Sequence, residues 1–214
     1  MKEKDLIKDY KDTFKKCKEN PNEQNKKVYI NAFNAFDTKL NKDLSEYLNK
    51  CKQKTRTLKE EASRIQKVID SINYRKSLRE KMIKDYASLM NYKPKNLPKI
   101  PLEHKLDEIS SYKTNIEDLA VIIKELISSG KQIREFKDKK SVFTSDTKTI
   151  KKVDTLTKTR VKLINLLKNN PSLMDDLYLY AVRAPYSSEN GYINYLLIKS
   201  DPKKILTEDN KNEQ

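Results

Sequence analysis

Apolar residues recur at three- and four-residue steps along most of this chain, the spacing of one face of an α-helix. Leu6, Ile7, Tyr10, Phe14 and Cys17 predict a short amphipathic helix over 2–18, which Asn20-Pro21 stops. A further helical stretch follows with Val28, Phe33, Phe36, Leu40 and Leu44, with a possible bend at Asp37-Thr38. From 44 to 90 the spacing becomes a heptad. Leu44, Cys51, Leu58, Ile65, Ile72, Arg79 and Tyr86 take the d positions; Leu48, Thr55, Ala62, Ile69, Lys76, Ile83 and Met90 take a. With no Pro or Gly inside it, this run predicts one uninterrupted helix of about 70 Å at roughly 1.5 Å per residue.

Residues 93–101 carry three prolines and end that helix. A second long helix is expected over about 102–139, with Leu102, Leu106, Ile109, Ile116, Ala120, Ile123, Ile127 and Ile133 as its stripe. The pair predicts an antiparallel αα-hairpin folded about residue 97. That fold sets Lys76 and Arg79 near Glu117 and Asp118, as a polar layer that fixes the register. Leu119, Ile122, Leu126 and Ile133 widen the second stripe beyond a two-helix seam, which suggests an uncovered interaction surface.

The later chain changes character. Residues 141–160 are rich in Ser and Thr and read as a basic linker, partly helical from Thr147. A small C-terminal module over 161–200 follows, and 201–214 reads as a disordered polar tail. Within the module, 172–182 and 188–199 read as two helices in preference to a hairpin through Asn190-Gly191. The expected fold class is thus all-α, with a possible α+β module at the end. The expected organisation is a helical segment over 1–40, a long hairpin over 41–140, the linker, the module and the tail.

Composition narrows the function classes. Two glycines in 214 residues cannot build a glycine-rich phosphate cradle. No apolar run approaches the length of a membrane span, and the charged first residues lack the apolar core of a secretory signal, so an intracellular protein with reduced thiols is expected. One histidine and two separated cysteines leave no metal set. In the long-helix reading Cys51 and His104 lie roughly 60 Å apart, too far for a nucleophile–base pair. Asp175-Asp176 reads as helix-end complementation. No catalytic residues, cofactor or small-molecule substrate are expected.

Charge is the remaining signal. The formal net charge is +15. It concentrates in 131–162, where Lys131, Arg134, Lys137, Lys139, Lys140, Lys148, Lys151, Lys152, Lys158, Arg160 and Lys162 face only four acids. Tyrosines cluster late, and Tyr178, Tyr180, Tyr192 and Tyr195 suit an interface or a wet-rimmed core. The sequence therefore predicts a non-enzymatic basic helical scaffold that associates with itself or a protein partner. The alternative is a sequence-independent nucleic-acid-binding protein using 131–162.

Overall fold

The computed structural model describes residues 3–140 and 147–200, and side chains over 6–138 and 147–197. The chain is all-α: the described residues form α1 (Glu3–Glu19), α2 (Glu23–Lys50), α3 (Leu58–Met90), α4 (Leu106–Lys140), α5 (Thr147–Lys168), α6 (Pro171–Arg183) and α7 (Asn190–Ser200), with no strand. A short 3-10 turn, Glu103–Lys105, precedes α4. The expected tail over 201–214 and the segment 141–146 lie outside the described residues.

The heptad run is not one helix. It breaks at 51–57, between α2 and α3. Thr57 accounts for the break: its Oγ1 accepts from Glu60 N–H at 3.2 Å, while the Glu60 carboxylate accepts from Arg56 N–H at 2.7 Å. This is a variant of the T-x-x-E capping box, with the carboxylate reaching one residue further back, and it starts a new helix. The intervening segment is one heptad long, so the two helices stay in phase in the sequence although the chain reverses between them.

Two compact units result, Met1–Gln53 with Gln66–Ile109, and Lys54–Ile65 with Ser110–Gln214. Each unit is discontinuous in sequence, because α3 and α4 each contribute to both.

In the first unit α2 and α3 run antiparallel. Leu44 and Leu48 pack with Ile72 and Val68, while Asp37 and Asn41 meet Arg79 and Arg75. Tyr10 and Cys17 of α1 join Tyr29, Phe33 and Phe36 of α2 and Met82, Tyr86 and Met90 of α3 in a second cluster. Its rings sit 5.0–6.5 Å apart, tilted or edge-on, the favoured aromatic geometry. The proline segment does more than turn the chain. Ile100 is buried against α2 and α3, and Leu97 packs on the aromatic cluster. Cys51 and Leu106 both pack on the cluster that holds Ile100, so the long separation expected between Cys51 and His104 does not hold; the His104 side chain is exposed.

In the second unit Ile116, Leu119, Ile122, Ile123 and Leu126 of α4 are buried, as are Leu58, Ala62 and Ile65 of α3, Leu167 of α5, Leu173, Leu177 and Tyr180 of α6, and Ile193, Leu196 and Leu197 of α7. The expected linker is helical from Thr147 and continues without interruption through Lys168, so no boundary falls at 160–161. Its apolar period is carried by half-buried Val153, Leu156, Leu163 and Ile164. Asn170 caps α6, accepting from Leu173 N–H at 3.2 Å. Residues 172–199 resolve as helix, with Asn190-Gly191 opening α7 in place of a hairpin turn.

Candidate functional site

Among the described residues, two arginine clusters and one lysine face bear on function, and they differ in what they can do. The first cluster lies between α2 and α3. Asp37 is 1% exposed and receives Arg79 Nε at 2.9 Å and Nη2 at 2.7 Å, together with Arg75 Nη2. Arg75 Nε donates to Asn41 Oδ1 at 3.0 Å, and Arg79 Nη1 donates to the Pro98 carbonyl at 2.6 Å. Arg79 was expected opposite Glu117 and Asp118; its partner is Asp37, and Lys76 reaches Glu103 at 3.6 Å. Burial pushes the Arg75 guanidinium down from its ordinary value, and the Asp37 carboxylate opposes that shift. The cluster pins the register of two helices and one loop. Beside it lies a cleft of about 410 Å3 lined by Leu40, Leu44, Leu78, Tyr47, Tyr74, Asp43, Asp70, Ser71 and Arg75.

The second cluster removes Arg160 from the predicted basic surface. Its guanidinium donates to the Leu126 carbonyl, to Ser129 Oγ at 3.1 Å and to Tyr192 Oη at 3.1 Å, tying α5 to α4 and α7. Gly130 makes the space: a Cβ there would sit 2.8 Å from Arg160 Nη1. This yields a sign test. Gly130→Ala is expected to destabilise the native chain by about 1–2 kcal/mol, because the guanidinium is displaced from its acceptors. In an Arg160→Ala background the same change is expected to stabilise by up to about 1 kcal/mol, the helix propensity gain of Ala over Gly. A double-mutant cycle read by urea unfolding checks it; the same sign in both backgrounds refutes the account.

The predicted interaction stripe is also core. Leu119 and Leu126 are 0% exposed and Ile122 6%, while Ile133 is half-buried. They are buried in a unit where α4 is tied to α5 through Arg160 and to α6 through Asn115, where the sequence suggested a bare two-helix seam. Among the tyrosines, Tyr180 is fully buried, Tyr178 is half-buried, Tyr192 serves Arg160, and Tyr195 is 48% exposed. Asp176 accepts from Asn115 Nδ2 at 2.6 Å, tying α6 to α4; burial, with Asp175 adding, raises its pKa.

What remains accessible is α5. At 100° per residue Lys148, Lys151, Lys152, Lys158 and Lys162 fall within an arc of about 120°, over a length of about 21 Å. All five are exposed. Val153, Leu156, Arg160, Leu163, Ile164 and Leu167 take the opposite, covered side. The sole acid of the helix is Asp154, 3.1 Å from Lys158. That pair is well exposed, so it contributes little and opens readily. Lys152 Nζ lies 5.2 Å from the centre of the Phe136 ring. On α4, Lys131 lies 4.0 Å from Glu135, and Arg134 and Lys137 are exposed. The side chains of Lys139 and Lys140 lie outside the described residues.

No family model, curated protein or solved structure matches the chain. Among the described residues no His, Cys, Asp and Glu group could hold a metal ion, and no helix is long and apolar enough to cross a membrane.

Proposed function

We propose that this chain is a non-enzymatic helical binding protein that docks on a polyanion through the exposed face of α5. The observation that carries the reading is the alignment of Lys148, Lys151, Lys152, Lys158 and Lys162 on one side of a single helix. Such a row attracts a partner of opposite charge by summed field, without demanding one fixed geometry. The engagement of half-buried Arg160 supports it further, because the cation most able to fork onto a specific acceptor is already bonded to Leu126, Ser129 and Tyr192. Heparin chromatography tests the reading. A Lys151→Glu/Lys162→Glu chain is expected to elute at distinctly lower salt than the parent, with helix content unchanged. Equal elution of the two would end it.

Self-association as a helical scaffold is the second reading. It is favoured by the cleft of the first unit, where Tyr74 is 71% and Tyr47 38% exposed beside Leu40 and Leu78. Exposed aromatic side chains on an apolar wall are typical anchors of protein interfaces. The coiled-coil character expected from the heptads belongs to this reading, with α2 and α3 as the paired helices. Sedimentation that stays monomeric at every concentration would exclude it.

A further inference from the structure

We infer that the polyanion bound by α5 is the phosphate backbone of a nucleic-acid duplex, contacted without reading its bases; this rests on the polyanion reading above. The first argument is shape. The five ammonium groups follow a rigid rod of about 21 Å, and a duplex carries about one charge per 1.7 Å of axis, so a straight duplex meets all five without bending. A flexible acidic peptide would have to be ordered along the helix to do the same, which opposes binding.

The second argument is the type of cation. Ammonium groups are point charges that satisfy phosphates, whereas base edges are read by planar forks such as that of arginine. Helix α5 presents only lysines outward, since Arg160 donates to Leu126, Ser129 and Tyr192. The third is the lack of a stacking platform. Single-stranded nucleic acid is held by aromatic faces. Helix α5 carries no aromatic residue, and nearby Phe136 is half-buried with the Lys152 ammonium over its ring. The fourth separates a duplex from a membrane surface. A helix lying on lipid needs a broad free apolar face. Between these lysines stand Thr155, Thr159 and the half-exposed Leu166. The other half-exposed apolar side chains of α5, Ile150 and Val161, lie off that arc, and Val153, Leu156, Leu163, Ile164 and Leu167 are half-buried or buried, so no broad apolar face is free.

The test uses the full chain and fluorescence anisotropy over a salt series. The probes are two unrelated duplexes of equal length, a single strand, and vesicles containing phosphatidylserine. Five neutralised phosphates predict a slope of log K against log salt of about −4.5 for the duplexes. The two duplexes are expected to agree within threefold, and both to bind at least tenfold tighter than the single strand. Lys151→Glu/Lys158→Glu/Lys162→Glu is expected to weaken duplex binding more than a hundredfold and to flatten the slope. A control with the same charge change on α1, Lys8→Glu/Lys11→Glu/Lys15→Glu, is expected to weaken it less than fivefold. The inference is overturned by equal losses in the two triple variants, by a single strand that binds as well as the duplexes, or by a tenfold preference between duplexes. Vesicle binding that depends on α5, without duplex binding, overturns the inference and leaves the polyanion reading standing. Binding of no polyanion at all removes both.

Discussion

Replacing Asp37 with Asn is expected to cost the first unit about 3–5 kcal/mol, the range for breaking a buried ion pair by deleting one partner. The reason is the imbalance left behind. Two guanidinium groups, with side chains 4% and 10% exposed, share this one carboxylate. An amide keeps the volume and one acceptor but removes the charge, so Arg75 and Arg79 remain buried with like charges adjacent and nothing to offset their desolvation. In thermal terms the loss corresponds to roughly 6–20 °C, at 2–4 °C per kcal/mol for a chain of this size. Urea unfolding followed by circular dichroism measures the size of the effect, and hydrogen exchange locates it, with amides of α2 and of α3 beyond Gln66 losing protection first. A loss below 1 kcal/mol would refute the view that this cluster holds the helices together. The companion variant Asp37→Leu/Arg75→Met/Arg79→Met is expected to recover most of the stability, because an apolar layer of similar volume removes the desolvation cost along with the attraction.

That cluster also marks where sequence reasoning stopped short. Arg79 was visible as a charged residue on an apolar seam, and the need for a buried anion followed correctly. Its partner was sought in the wrong helix, because an unbroken helix over 44–90 leaves only α4 to fold back. The signal that could have prevented this is local: Thr57-Leu58-Lys59-Glu60 reads as a capping box. A start signal inside a periodic run outweighs the continuity of the period when the insertion equals one repeat. Once α3 begins at Leu58, α2 becomes its antiparallel neighbour, and Asp37 and Asn41 fall opposite Arg79 and Arg75.

The all-α class, the cap at Asn170 and the helical start at Thr147 were readable because they depend on short-range chemistry. The fate of the charged residues in 131–162 was not. Lys151 and Arg160 sit in similar sequence surroundings, yet one faces solvent and the other is half-buried against α4 and α7. The difference lies in Gly130, thirty residues upstream, whose missing side chain admits the guanidinium. Leu119, Ile122 and Leu126 followed the same logic: a wide apolar stripe is legible, and what covers it is set by tertiary pairing. Helices α5, α6 and α7 lie too late in the chain for periodicity alone to place them against α4.

Raising the pH through 10 to 12 is expected to unfold the chain cooperatively, through its buried tyrosines. Burial is the leading cause that pushes up Tyr10, Tyr29, Tyr86, Tyr112 and Tyr180, with Tyr86 and Tyr180 raised from 10 to about 12. A proton held more tightly in the folded state contributes stability that is fully present below the unfolded value near 10 and is lost as pH rises through the folded value. Each displacement from 10 to about 12 corresponds to on the order of 2–3 kcal/mol, so two such groups already approach the marginal stability of an ordinary domain. Lysine deprotonation in the same window works in the opposite direction, since it relieves the repulsion of a chain carrying +15. Loss of helix there is therefore attributable to tyrosinate formation. The check is simultaneous recording of tyrosinate absorbance and helical ellipticity. Part of the absorbance is expected to rise gradually from the exposed rings, and the rest to appear in one step with the loss of helix. Tyr180→Phe is expected to shift that step upward, because it deletes one of the buried hydroxyls whose ionisation opposes the fold. A broad absorbance titration completed near pH 10 with helix retained would show that these rings are accessible, and would contradict the packing that places them inside.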